Sequence, residues 1–183
     1  MIIPGVIASS YFAAVGDYES IATVTVGSGG ASSITFSSIP QTMAHLQVRI
    51  LARGTNFQTE MYIIPQINAV TGNNYTQHVL TGDGSSATSA GSINDTPVIN
   101  RFAGGNATTD IFGMAIVDFL DYTNANKKPV MRSLGGVDRS GAGQVSMTST
   151  MIQTNGAITD LVFRPHLGNF AQYSQIALYG IKG

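Results

Sequence analysis

The sequence contains no cysteine and no tryptophan. The first absence excludes disulfides, thiolate metal sites and cysteine nucleophiles. Charge is scarce too. Asp, Glu, Lys and Arg make up 10% of the 183 residues, against roughly 25% in an average soluble domain. Lys plus Arg number 9 and Asp plus Glu number 10, for a formal net charge of -1. That balance argues against a nucleic-acid interface and against an anionic membrane surface. The basic residues are scattered from Arg49 to Lys182, without the aromatic interleaving of a single-strand binder. No apolar stretch reaches the roughly 20 residues of a spanning helix. No apolar stripe at helical spacing persists over three turns, which excludes a helical bundle.

In place of charge the chain carries 21 glycines and many Ser, Thr, Asn and Gln residues. Hydroxyl and amide faces pack against other proteins at low desolvation cost, because no ion has to lose its water. The composition therefore fits a protein in contact with copies of itself or with a larger assembly. Residues 1–17 read as an apolar docking arm, with Ile2, Ile3, Val6, Ile7, Tyr11, Phe12 and Val15 as the residues expected to reach a partner. Pro4 and Gly5 argue against one long helix there. The first basic residue is Arg49, so the segment lacks the basic n-region of a secretory signal.

Residues 18–183 read as one β-sandwich domain. Apolar residues alternate with polar ones, and turn signals separate the runs. The clearest strand spans residues 45–53, with Leu46, Val48, Ile50 and Ala52 toward the core and Gln47, Arg49 and Arg53 away from it. Residues 61–67 read as a strand weakened by Pro65, which suits an edge or a bulge. Residues 109–122 read as a long buried strand, since Ile111, Phe112, Met114, Ile116, Val117, Phe119 and Leu120 leave little alternation. Residues 81–91 read as a Gly/Ser/Ala loop. In all, about ten strands joined by short loops predict an all-β, antiparallel, jelly-roll-like sandwich.

Chemistry is sparse. His45, His78 and His166 have no metal-pair spacing and no neighbouring carboxylate. No Gly-x-Ser-x-Gly elbow and no phosphate-binding Gly-Lys-Ser/Thr loop is present. Asp118 and Asp121 cannot converge as a catalytic pair if both lie on one extended strand, and pairing with Arg132 and Arg139 is the simpler expectation. Asp83, in Thr-Gly-Asp-Gly-Ser, lacks the further acids of a calcium loop. No catalytic residue, metal or cofactor is expected.

Several runs occur in a telling order. They are residues 31–40, 44–53, 72–84 and Val-Asp-Phe-Leu-Asp-Tyr at 117–122, followed by residues 169–183. The most specific part is the ending Ser-Gln-Ile-Ala-Leu-Tyr-Gly-Ile-Lys-Gly. Over residues 18–183 the chain resembles structural proteins of tailed bacteriophages, especially those of aquatic bacteria and cyanobacteria. The resemblance implies a non-enzymatic virion component, either a capsid decoration (cement) protein or a tail or fibre protein. A cement protein would sit on the capsid exterior, bind the major capsid protein and associate with itself as a homodimer or homotrimer. A tail or fibre component would bind a host-receptor glycan, for which Asn73, Asn74, Tyr75, Tyr122, Asn124 and Asn126 are the candidate residues. Neither role implies a nucleic-acid or membrane partner.

Overall fold

The structure is a computed structural model and describes residues 17–183. The strands are β1 (Tyr18–Thr25), β2 (Ile34–Phe36), β3 (His45–Ala52), β4 (Glu60–Ile67), β5 (Tyr75–Gly82) and β6 (Ala87–Asp95), then β7 (Ile99–Ala103), β8 (Gly113–Leu120), β9 (Val130–Asp138), β10 (Gly143–Ile152), β11 (Leu161–Pro165) and β12 (Gln175–Ile181). Eight of them form one sheet in the order β1-β12-β3-β8-β9-β10-β5-β6, and four form a second in the order β2-β11-β4-β7. Paired strands in both sheets run antiparallel. The chain is thus the all-β sandwich that its alternation predicts.

Periodicity explains the core directly. In β3, Leu46, Val48, Ile50 and Ala52 are all buried, and the intervening residues are not. The same face of β8 contributes Ala115, Val117 and Phe119. From the opposite sheet come Ile63, Phe102, Leu161 and Phe163. Phe36 meets Phe163 edge-on, with ring centroids 6.3 Å apart. Each such fully buried side chain stabilises the fold by about 1.5–3 kcal/mol in transfer terms. The strands nearest the two ends of the described chain, β1 and β12, pair at one edge of the large sheet.

Two sequence expectations need correction and one holds in part. Residues 81–91 are not a loop: β5 runs on to Gly82 and β6 begins at Ala87, so only a tight hairpin turn separates them. Small polar side chains hide this strand, whose residues are almost all exposed. The expectation of an edge or a bulge at Pro65 holds in part: β4 lies between β11 and β7 but is not paired with β7 along its whole length. The ladder to β7 stops at Ile63 opposite Ile99 after a bulge, so β4 has no β7 neighbour at Pro65. Residues 109–122 contain a shorter strand, Gly113–Leu120, that is buried on one face only. Arg53, partly buried just past the end of β3, holds the loop before β8. Its guanidinium donates to the carbonyl oxygens of Gly105, Ala107, Thr108 and Ile111 at 2.7–3.1 Å.

The inner face of β10 is unusual. Ser146, Thr148 and Thr150 are buried there where apolar residues would be ordinary. Among the described residues, the Thr148 and Thr150 hydroxyls have no hydrogen-bond partner. A buried hydroxyl without a partner is destabilising. Thr148→Val, close in shape, should therefore raise the unfolding free energy by about 1 kcal/mol, read as a higher urea midpoint at unchanged slope.

Candidate interaction surface

The four-stranded sheet covers only one face of the eight-stranded sheet. On the other face, register assembles side chains into rows across the strands. One row runs Leu51, Met114, Gly136, Val145, Gly82. The next runs Ile116, Leu134, Met147, Leu80, with Arg49 at its β3 end. Met114 and Leu134 are each 57% exposed, and Val145 is 61% exposed. These residues occupy the outward positions of adjacent strands, so they form one continuous apolar surface rather than scattered exposed side chains.

A trough of about 680 Å³ is set into this surface, walled by Met114, Ile116, Leu134 and Val145. Its floor is at Gly136. A Cβ added there would lie 2.5 Å from the Gln144 carbonyl oxygen, so neighbouring backbone excludes any side chain. The trough also reaches the tips of the β5–β6 and β9–β10 hairpins at Asp83 and Gly141. Gly84 supplies the left-handed φ of 91° that the β5–β6 turn needs. Asp83 fastens that turn by accepting from the Ser85 and Ser86 amides at 2.9 and 2.7 Å and from both hydroxyls. These donors, the Ser86 amide above all, lower its carboxyl from the ordinary 3.8 to about 2.

A third row is polar: Gln47, Asp118, Arg132, Ser149, His78. Tyr18 donates to Gln47 at 2.8 Å, and Gln47 donates to Asp118 at 2.9 Å. The Arg49 guanidinium lies 5.4 Å from the ring centres of both Tyr18 and Tyr179, which stack 4.8 Å apart. This cluster occupies the β1, β12 and β3 side of the face. The apolar rows occupy the β8, β9, β10 and β5 side.

The other candidates from the sequence fall apart in space. The His45 ring accepts from the Asp121 amide, and the His166 ring accepts from the Tyr62 amide, so each closes a local backbone junction. His78 is exposed on β5. Among the described residues no group of three or more metal-ligating side chains converges. Asp121 lies just beyond β8 and pairs with Lys127 at 2.5 Å, which holds its carboxyl below the usual range. Arg132 is the register neighbour of Asp118, but among the described residues no ion pair joins them, and Asp118 accepts from Gln47 instead. Arg139 is not a partner of either aspartate: it pairs with Glu60 at 2.5 Å, and Glu60 also pairs with Arg101. That half-buried triad ties the β9–β10 hairpin to the small sheet.

Tyr75 and Tyr122 also need correction. Both are buried, with burial pushing their hydroxyls above the ordinary tyrosine value. Tyr75 donates to the Val70 carbonyl at 2.9 Å, and Tyr122 donates to that of Pro40. Neither ring is available to stack on a sugar. Of the other four candidates, Asn73, Asn74 and Asn126 are exposed and Asn124 is partly so. The expected arm residues Ile2, Ile3, Val6, Ile7, Tyr11, Phe12 and Val15 lie outside the described residues. Sequence reading did not single out Leu51, Leu80, Val145 or Met147 as surface residues. The available signal was the loss of alternation in residues 112–120, which reads as burial on both sides.

Two outcomes follow from these contacts. Glu60→Gln leaves two guanidiniums without their shared carboxylate and should cost about 1–3 kcal/mol in urea unfolding. The Asp83 carboxyl should titrate near 2, followed by NMR. Because its folded value lies below 3.8, its support of the turn is complete above 3.8 and is lost as pH falls through about 2. Faster exchange of the Ser85 and Ser86 amides should accompany that loss.

Compared with known proteins, the chain matches no family model, no curated protein and no solved structure.

Proposed function

We propose that this chain is a non-enzymatic structural protein of a virion, a capsid cement protein that binds the major capsid protein and stabilises the phage head from outside. The observation that carries the reading is the open apolar face of the eight-stranded sheet, built from Leu134, Met147, Leu80 and their neighbours. A surface of this kind is kept where protein packs on protein, here between copies of the cement protein, while the arm carries the contact to the capsid. The low charge density points the same way, as does the resemblance of residues 18–183 to tailed-phage structural proteins.

The mechanism is added buried area across joints between capsid subunits. A contact of about 1,500 Å² supplies tens of kcal/mol gross, from which association costs are subtracted. Repetition over many copies strengthens the shell without any single strong contact. In this reading residues 1–17 form the arm that reaches over the capsid, with Ile2, Ile3, Val6 and Ile7 as anchors. The tail or fibre alternative loses two of its proposed sugar contacts, since Tyr75 and Tyr122 are buried.

The test is add-back to purified heads that lack the protein. The full chain should bind, and binding should be reduced at least about tenfold by changing Ile2, Ile3, Val6 and Ile7 to serine, each loss being worth on the order of 1 kcal/mol. Circular dichroism should show the variant sandwich intact. Antibody labelling of tails and not heads, or undiminished loading of the serine variant, would overturn the cement reading or the arm's part in it.

A further inference from the structure

We infer that a second copy of this chain covers the open face of the eight-stranded sheet, the two copies packing sheet to sheet about a two-fold axis. The inference concerns the face itself and does not depend on a virion role.

It rests first on a mismatch within β8 and its neighbours. Ile116 and Val117 in β8, Val130 and Met131 in β9, and Met151 and Ile152 in β10 are adjacent apolar residues pointing to opposite faces. At these points both faces of the strand carry apolar residues, as where a sheet is covered on both sides. The described chain covers one side, and Met114, Leu134 and Val145 remain more than half exposed on the other. The pattern therefore calls for a second layer of protein.

Charge selects the occupant. The outward positions of β3, β8 and β9 carry Arg49 and Arg132 against Asp118 and Asp138, two of each sign. The rim carboxylate of Asp83 is already engaged by its own turn. A partner of one strong charge would gain nothing from such a face. An identical face brought round by a two-fold axis can set each sign against the other, because isologous contacts are self-complementary.

Area is sufficient. Five strands from β3 to β5, each about 8 residues long, span about 24 Å by 26 Å. That is about 600 Å² per copy and about 1,200 Å² in total, the lower bound of specific interfaces. Sheets packed face to face lie about 10 Å apart, so Leu134 and Met147 of one copy can enter the trough of the other. Residues 1–16 are a poorer occupant. They precede β1 in the sequence, and the Tyr18, Tyr179 and Arg49 cluster lies between the β1 edge and the apolar rows.

The experiment is sedimentation equilibrium of the full chain over a dilution series. Wild type should show the mass of two chains and dissociate reversibly on dilution. Leu134→Asp and Met147→Asp, made separately, should each weaken association at least about 100-fold. Both sites are exposed in one copy, so circular dichroism and melting should remain close to wild type. Should either variant fail to fold, Leu80→Lys provides the same reading from the next strand. The chain has no cysteine, so a nitroxide on Leu134→Cys reports the inter-copy distance, which should be short for sheets about 10 Å apart. A monomeric wild type overturns the inference. So does a folded Leu134→Asp with undiminished association, or a long nitroxide distance. A full chain with Ile3, Val6 and Ile7 changed to serine should still dimerise; loss of the dimer there, with Leu134→Asp unaffected, assigns the contact to the arm and overturns it as well.

Discussion

Unequal sheets govern this molecule. Eight strands lie in one layer and four in the other, so the smaller layer cannot cover both faces of the larger. A sandwich buries the inner faces of its sheets, and its outer faces ordinarily carry polar residues. Here the inner face of the large sheet is enclosed at its central strands, with Leu46, Val48, Val117, Phe119 and Leu178 all buried. Its outer face keeps a second set of Leu, Met and Val residues at alternate positions of the same strands. The central strands thus have apolar matter on both sides and only one neighbouring layer. The trough, the charge-neutral face and the proposed partner all follow from that imbalance.

The fold was legible wherever alternation was clean. In β3, β-branched and aliphatic residues mark the strand, and one strict face marks the core. Legibility failed where side chains carried no pattern. Nothing in Ala-Thr-Ser-Ala-Gly-Ser at 87–92 distinguishes a strand from a loop, and β6 exists because β5 offers it a ladder. Pro65 was legible in part. A residue that removes a donor suggests an edge or a bulge, and the β7 ladder is bulged and does not reach Pro65, but where that ladder stops is set by chain segments about 40 residues apart.

The interaction surface was legible in part. The run at residues 109–122 reads as burial on both faces, whereas within one chain β8 is buried on one face only; the apolar residues it shares with its neighbours mark the open face. Tyr75 and Tyr122 show the converse error. Their neighbours Asn74 and Asn124 are turn formers, and a tyrosine beside a turn reads as surface. In the fold each ring is anchored through its hydroxyl to a nearby carbonyl, which lets a large amphipathic side chain beside a turn sit in the core. Which sheet face a third layer could approach was hidden altogether, because it depends on pairing β3 with β8 and β10 with β5 across long stretches of chain.

The face also has a competitor, and the physical chemistry separates them. β6 leaves an open edge of 9 residues whose side chains bear no charge before Asp95, and neutral edges are templates for strand addition. β1, at the other edge, is interrupted by a register shift between Ser20 and Ala22, which blunts it. Pairing along β6 would exchange water hydrogen bonds for main-chain ones, each with a small net gain of about 1 kcal/mol. It would bury almost no apolar area, since Thr88, Ser89, Ala90, Gly91 and Ser92 have so little to bury. The rows through Leu134 and Met147 contribute transfer free energy in proportion to their apolar area, at about 25 cal/mol per Å². Association is therefore expected to use the face, and the small residues of β6 leave its edge as a weak secondary contact.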